Sequence, residues 1–260
     1  MVRKDIIKLI EKLNYKKKST NLNEITLTTN GTLLKVYAKD LKKNGVDRIN
    51  VSLDTINDQK YNKITRFGNL EKVISGIIEA KKNDIKIKIN TVAMKNFNEN
   101  ELEELILWSN KLNIDITFIE VMPMEETDIG REMQFVALDK IYENLNKKFH
   151  FSKTTQNTGG PAIYYISKKL SIKVGFITPL TNNFCASCNR VRITSTGKLF
   201  MCLGQNDHID FREILRNDYS DNYIKDKILY ALKIKPKRHD FLIEENIKPY
   251  MKRHMNVTGG

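Results

Sequence analysis

The sequence predicts an α/β protein built on a parallel β-sheet. Two observations support this fold class: helical and strand patterns alternate along the first half of the chain, and each predicted strand ends in polar or sulfur-bearing side chains. Alternation of this kind is typical of βαβ units, whose strands run parallel within one sheet.

The elements of the first half follow one another in a regular order. Apolar residues at helical spacing predict helices over residues 5–14, 33–43, 70–78 and 102–112. Short β-type runs predict strands over residues 24–29, 48–53, 85–92 and 116–122. Asn98 and Glu101 form a predicted capping pair for the last of these helices.

The strand ends are where a ligand is expected in such a fold. The four endings are Thr28-Thr29-Asn30, Ser52-Leu53-Asp54, Lys88-Ile89-Asn90 and Glu120-Val121-Met122. Four such endings in succession indicate one shared site.

The pattern changes after about residue 130. A predicted helix near residues 138–147 leads into strands around 164–166 and 174–177, and Ser195-Thr196-Gly197 predicts a hairpin turn between two more strands. Residues 211–232 have a helical pattern. We therefore predict two domains, residues 1–130 and residues 131–260.

Composition limits the class of protein. The 260 residues are 40% hydrophobic, and no stretch has the length and apolar character of a signal peptide or membrane span. Three cysteines do not suggest a disulfide scaffold, so we expect a cytoplasmic protein. The net charge of +13 is spread over a sequence rich in Lys, Asn and Ile, and we expect no nucleic-acid or membrane partner from charge alone.

All three cysteines, Cys185, Cys188 and Cys202, lie within eighteen positions and have the spacing C-x2-C-x13-C. Two thiolates from a tight turn and a third from the adjacent hairpin strand can hold one metal centre. Zinc would need a fourth ligand, for which His208 is available, whereas a [4Fe–4S] cluster on three cysteines leaves one iron open. Spacing does not separate these alternatives.

The residues around these cysteines resemble a known family. Phe184-Cys185-Ala186-Ser187-Cys188-Asn189-Arg190-Val191-Arg192 is similar to the C-terminal cluster motif of the GTP 3′,8-cyclases, the MoaA family of radical S-adenosylmethionine enzymes in molybdenum cofactor biosynthesis. Seven further blocks resemble that family in the same order, and the similarity runs from residue 2 to the final Gly259-Gly260. They include Leu27-Thr28-Thr29-Asn30-Gly31, Arg48 to Asp54, Lys88-Ile89-Asn90 and Gly175 to Pro179.

The resemblance implies a partial (β/α) parallel barrel followed by a smaller α+β iron–sulfur domain. It also implies a lyase reaction, in which a 5′-deoxyadenosyl radical abstracts the ribose 3′-hydrogen of GTP and the carbon radical attacks C8 of guanine. The product is 3′,8-cyclo-7,8-dihydroguanosine 5′-triphosphate. The implied cofactors are S-adenosylmethionine and a [4Fe–4S] cluster on Cys185, Cys188 and Cys202.

The resemblance also assigns individual residues. The positions that match GTP contacts are Thr28, Lys88, Arg190, Val191 and Arg192. The positions that match S-adenosylmethionine contacts are Ser52 and Met122, and the tail Gly259-Gly260 matches one that enters the active site. A triphosphate needs cations, and Arg190 and Arg192 face the same side of a strand, as alternate residues do.

Two features of the family are missing from these 260 residues. The C-x3-C-x2-C motif that holds the radical-generating [4Fe–4S] cluster is absent, as is the Gly-Gly-Glu-Pro segment expected before Val2. The predicted barrel therefore lacks its first βα units. The chain by itself is expected to bind GTP poorly and to be inactive, and we expect the reading frame to continue upstream through that motif.

Partners follow from the same resemblance. They are GTP as a small-molecule substrate, a reductant protein, a second copy in a homodimer, and a functional link to the cyclic pyranopterin monophosphate synthase that takes the product. Two alternatives stay open: a zinc-binding basic module that recognises nucleic acid, and a related radical S-adenosylmethionine maturation enzyme.

Overall fold

The computed structural model describes residues 3–124, 131–156, 158–239, 241 and 257–258. The helices are α1 (Ile6–Lys17), α2 (Leu34–Lys43), α3 (Asp58–Thr65), α4 (Leu70–Lys82), α5 (Leu102–Lys111), α6 (Arg131–Gln134), α7 (Leu138–Phe149), α8 (Phe211–Arg216) and α9 (Asp221–Lys233). The strands are β1 (Thr26–Thr29), β2 (Arg48–Ser52), β3 (Lys86–Ala93), β4 (Asp115–Glu120), β5 (Ser152–Lys153), β6 (Ile163–Ile166), β7 (Val174–Ile177), β8 (Arg192–Ile193), β9 (Lys198–Phe200) and β10 (His208–Asp210).

Strands β1 to β7 form one sheet in the order β1-β2-β3-β4-β7-β6-β5. The pairs β1–β2, β2–β3 and β4–β7 are parallel, as the alternation of elements predicts, and β6 and β5 continue the sheet in antiparallel fashion. A parallel pair requires a crossover between its strands, and α2 and α4 supply the crossovers on either side of β2.

The two faces of the sheet differ in polarity. Leu27, Ile49 and Ile87 lie in one row across β1, β2 and β3. Val51 and Ile89 pair two residues further along the strands, and they therefore lie on the same face. Successive residues of a strand point to opposite faces, so the rows between them carry polar side chains. These rows are Thr26, Arg48 and Lys86, then Thr28, Asn50 and Lys88, then Ser52 and Asn90.

Helices cover the apolar face. A Cβ atom added at Gly31 would lie 2.8 Å from the side chain of Val73 on α4 and 3.1 Å from that of Val51 on β2. Gly31 has a φ of +78°, a conformation that costs glycine little. The glycine after β1 thus provides both the turn and the space for α4.

The chain forms two compact units, which are described separately. The first comprises residues 1–119 and 138–177, and the second comprises residues 120–137 and 178–260. Strands β6 and β7 belong to the first unit although they follow residue 130 in the chain. The predicted domains, 1–130 and 131–260, stay a prediction.

The second unit contains a three-stranded antiparallel sheet in the order β10-β9-β8. Helices α8 and α9 pack on it, and Gly197 makes the turn between β8 and β9 with a φ of +84°. The core of this unit consists of Leu199, Met201, Phe211, Ile214 and Ala231.

One local prediction was wrong. Asn98 does not cap α5: the N-cap position is Glu101, which makes no capping bond, and the Asn98 side chain is fully buried between other loops. The helical pattern over residues 211–232 corresponds to two helices, α8 and α9: Asp218, between them, has a φ of +48°, and Ser220 caps α9 by accepting a hydrogen bond from the Tyr223 backbone. Within the described part of the chain, no helix combines the length and apolar character needed to cross a membrane.

Candidate functional site

Strand register brings three of the predicted residues of the first unit onto one face. Thr28 pairs with Asn50, and Asn50 pairs with Lys88, so these three polar residues form a row across β1, β2 and β3. Ser52 pairs with Asn90 one step nearer the carboxyl ends of the strands. Thr28 and Ser52 are exposed, whereas only 7% of Lys88 is exposed.

Tyr164 contacts the buried ammonium of Lys88. Lys88 Nζ donates a hydrogen bond to the Tyr164 hydroxyl at 3.1 Å, and the Tyr164 hydroxyl lies 3.1 Å from Thr158 Oγ1. Burial raises the pKa of Tyr164, but the charge of Lys88 and the hydrogen bonds of Thr158 and Lys88 outweigh it and leave the pKa below its ordinary value. Tyr164 therefore lies in an electropositive environment.

Lys88 and Thr158 also line a cavity of about 720 Å³ in the first unit. Other residues of its wall include Arg48, Lys86 and the carboxylates of Glu24 and Asp115. Glu24 binds Arg48 through two hydrogen bonds of 2.9 and 2.8 Å. Arg48, Lys86 and Asp115 begin β2, β3 and β4, so this cavity lies at the amino ends of the strands, away from the carboxyl ends where a ligand is expected in such a fold.

A buried polar network fixes the carboxyl ends of β2 and β3, next to Ser52. Asp54 Oδ1 accepts a hydrogen bond of 2.8 Å from the Val92 backbone, and Thr91 Oγ1 donates one of 2.7 Å to the Leu53 carbonyl. The Asn98 amide donates to the carbonyls of Asp54 and Val92 at 2.7 and 2.8 Å. Burial raises the pKa of Asp54 to about 6, although the Val92 N–H lowers it.

The three cysteines lie at one end of the hairpin of the second unit. Cys185 begins a single 3₁₀ turn, Cys185–Ser187, and the Cys188 N–H closes it on the Cys185 carbonyl at 3.1 Å. Lys235 Nζ donates to the carbonyls of Arg190 and Met201 at 2.9 and 2.6 Å, which holds the backbone before Cys202 beside the backbone after Cys188. All three thiols are free and half-buried.

Cys188 has the electrostatic environment of a ligand. Burial raises the pKa of its thiol, but the backbone N–H and the charge of Arg190, together with the charge of Lys235, outweigh burial and lower the pKa below its ordinary value. The thiolate is the form that binds metals. This donor set fits an iron–sulfur cluster in its chemistry.

A single metal ion requires its ligands to converge on one point, which a cluster does not. Among the described residues, no group of three or more His, Cys, Asp or Glu side chains is arranged as the ligands of one metal ion. In a cluster the thiolates bind separate irons and need not converge on one atom. The His208 ring, which a zinc site would use, lies 4.9 Å from the Phe200 ring, and its Nδ1 is 2.9 Å from the Asn206 carbonyl.

The two arginines extend from the cysteine turn into β8. Arg190 and Arg192 are half-buried, whereas Val191 and Ile193 between and after them are exposed, which is the predicted alternation. The Arg190 guanidinium lies over the Phe184 ring at 5.3 Å. The side chain of Arg190 is therefore fixed beside the cysteine turn.

Glu120 ends β4, and Met122 lies in the loop that follows it. Met122 is half-buried and packs against Met124 and Phe241. The Glu120 carboxylate is buried and accepts hydrogen bonds from the backbone of Leu180 and Thr181 at 3.0 and 3.2 Å. The predicted catalytic residues Gly259 and Gly260 lie outside the described residues.

Sequence reasoning missed Tyr164 and Lys235. Tyr164 lies in the run Tyr164-Tyr165, whose pattern is that of an ordinary β-strand. The sequence does not show which of the two rings faces Lys88, because that depends on the pairing of β6 with β7. Lys235 follows α9 among other lysines, and no local pattern distinguishes it from a solvated residue.

Two family models and a set of curated relatives match the chain. Residues 1–109 match the Radical SAM superfamily, and residues 114–241 match the Molybdenum Cofactor Synthesis C family. The chain is 48% identical over 261 residues to the GTP 3′,8-cyclase of Brucella ovis and to that of Brucella canis, and it spans 76% of each relative's length.

A solved structure supports the fold. SuiB of Streptococcus suis, in a crystal structure bound to S-adenosylmethionine, matches 84% of this chain with a TM-score of 0.53 and 16% sequence identity. The chain spans about half of SuiB, since the match covers 52% of that protein. The parallel sheet of the first unit is thus a fold of the radical S-adenosylmethionine type.

Proposed function

The chain belongs to the GTP 3′,8-cyclase family, and from this premise we propose that it acts in the family's reaction. That reaction converts GTP, with S-adenosylmethionine and a reductant, to 3′,8-cyclo-7,8-dihydroguanosine 5′-triphosphate in molybdenum cofactor biosynthesis.

One observation supports this proposal most directly: thiols and guanidinium groups share one end of the hairpin in the second unit. The Cys188 thiol, whose pKa is lowered, is two residues from Arg190, and Arg192 begins β8 two residues further on. Thiolates suit an iron–sulfur cluster, and guanidinium groups suit phosphate oxygens. A cluster and a nucleoside triphosphate are the pair of ligands that the reaction brings together.

Each residue then has a defined task. Cys185, Cys188 and Cys202 would hold the cluster, which when bound supplies an iron open to a substrate atom. Arg190, Arg192 and the Val191 backbone would bind GTP, as would Thr28 and Lys88.

Other residues would hold S-adenosylmethionine and exclude water. Ser52 offers a hydroxyl at the carboxyl end of β2, and Met122 offers a soft apolar surface to an adenine or a sulfonium group. Gly259 and Gly260 would enter the active site, where glycine leaves room for the substrate. A protein of this kind binds and orients its substrate while the cofactor supplies the reactive chemistry.

The radical-generating cluster has no ligands in these 260 residues, because all three cysteines belong to the hairpin site. We therefore expect no turnover from this chain alone, and the proposal is tested by binding. We also propose a homodimer, a reductant protein, a synthase that takes the product, and a cytoplasmic setting in which the thiols stay reduced.

The test is anaerobic reconstitution with iron and sulfide, followed by metal analysis. We expect about four irons per chain, and loss of the cluster in Cys188→Ser. The matched control is His208→Ala, which should keep its iron. Stoichiometric zinc that is lost in His208→Ala would refute the cluster and support a zinc module instead.

A further inference from the structure

Lys88 and Tyr164 form a pair that nothing in the sequence motifs explains. Only 7% of Lys88 and 1% of Tyr164 is exposed, and they come from strands β3 and β6, which are 76 residues apart in the chain. The ammonium lies 3.1 Å from the Tyr164 oxygen and 5.8 Å from the centre of its ring. The ring and the hydroxyl thus both contact the same cation.

The direction of the hydrogen bonds is fixed by chemistry. An ammonium has donors only, so the Tyr164 oxygen accepts from Lys88. The single phenolic proton of a neutral Tyr164 is then available to Thr158 Oγ1, 3.1 Å away. This chain of two bonds sets the rotamer of Tyr164, and Tyr164 in turn sets the position of the Lys88 ammonium.

The contacts of the Lys88 ammonium are a hydroxyl and an aromatic ring. Neither contact is an anion, and burial of a charge without an opposite charge is costly. Lys88 has two further N–H donors, and it lies in the polar row of the sheet with Thr28 and Asn50. The arrangement is suited to an anion that arrives with a ligand.

We infer that Tyr164 is a positioning residue, which holds Lys88 toward a phosphate group of GTP. The inference rests on the proposed function, since it takes GTP as the ligand. The neighbouring Tyr165 has a different environment: its ring lies 4.7 Å from that of Tyr142 and 5.7 Å from that of Phe176. Tyr165 therefore provides a matched control for the loss of one phenolic hydroxyl from β6.

The experiment is a double-mutant cycle on the full chain, with its cluster reconstituted. GTP and guanosine are titrated into the wild type, Tyr164→Phe, Lys88→Met, the double variant and Tyr165→Phe, and thermal unfolding is recorded for each. We expect Tyr164→Phe to weaken GTP binding about tenfold, with little change for guanosine or in Tyr165→Phe. In the Lys88→Met background, Tyr164→Phe should have no further effect.

The outcomes separate the two proposals. A wild-type protein that binds no GTP overturns the proposed function and this inference with it. If the wild type binds GTP and Lys88→Met weakens that binding, the proposed function stands. Equal losses in Tyr164→Phe and Tyr165→Phe, or a Tyr164→Phe loss that persists in Lys88→Met, would then overturn the positioning role alone.

Discussion

Asp54→Asn is expected to stabilise the protein at neutral pH. Asp54 follows β2, and its Oδ1 accepts a 2.8 Å hydrogen bond from the Val92 backbone, which an asparagine oxygen can also accept. Burial raises the pKa of the carboxyl from its ordinary 3.8 to about 6. The folded protein therefore holds this proton more tightly than the unfolded chain does.

The magnitude follows from the two pKa values. Stability from this group is fully present at low pH, and the free energy of unfolding falls as the pH rises from about 4 to about 7. The full loss is about 3 kcal/mol, of which about 2.5 kcal/mol occurs between pH 4 and pH 8. Because Asp54 retains some exposure, these figures are upper bounds.

The assay is urea unfolding of the wild type and Asp54→Asn at several pH values. The difference in free energy of unfolding, variant minus wild type, should rise steadily from pH 4 to pH 8. The control is Asp58→Asn, an exposed carboxylate at the start of α3. A difference for Asp54→Asn that stays constant over this pH range would refute the reasoning, whatever its sign.

Three further predictions concern the binding face and two loops. Arg192→Ala should weaken GTP binding by about 1.5–3 kcal/mol, as the loss of a charge-assisted contact does, and calorimetry should show no such loss in Lys18→Ala. Gly31→Ala should lower the free energy of unfolding, measured by urea titration, by about 2 kcal/mol or more, because the new Cβ would lie 2.8 Å from a valine of α4. Gly159 also has a positive φ but has open space around it, so Gly159→Ala should cost less. Glu120→Ala should cost about 3 kcal/mol in that titration, because the backbone donors of the following loop lose their acceptor. Equal costs at the two glycines, or a neutral Glu120→Ala, would contradict these explanations.

Local pattern predicted most of the first unit. The alternation over residues 85–92 identified β3, and it also placed Lys88 on the face opposite Ile87 and Ile89, where the structure has it. Period-2 alternation carries this information because it fixes the face of each side chain. The turn at Gly197 was equally clear, since glycine takes a positive φ readily.

Tertiary context decided what the sequence left open. Asn98 has the spacing of a cap, but burial gives its amide three backbone partners, Met94, Asp54 and Val92, and a residue that makes these bonds no longer caps a helix. Tyr164 becomes a neighbour of Lys88 only through the order β3-β4-β7-β6. The second half of the sheet is joined by pairings between distant segments, and no local pattern encodes them.

The pairing of β4 with β7 has a consequence for the folding pathway. Lys173 and Asp115, at the start of this pairing, are 58 residues apart, whereas Arg48 and Thr26, on β2 and β1, are 22 apart. By loop-closure entropy the longer connection costs about 0.9 kcal/mol more to close. Strands β1 to β3 can therefore assemble early, and β7 and β6 join them late. The contact between Lys88 and Tyr164 is expected to form in that last step, so a chain that stalls before it would have most of its secondary structure but no partner for the Lys88 ammonium.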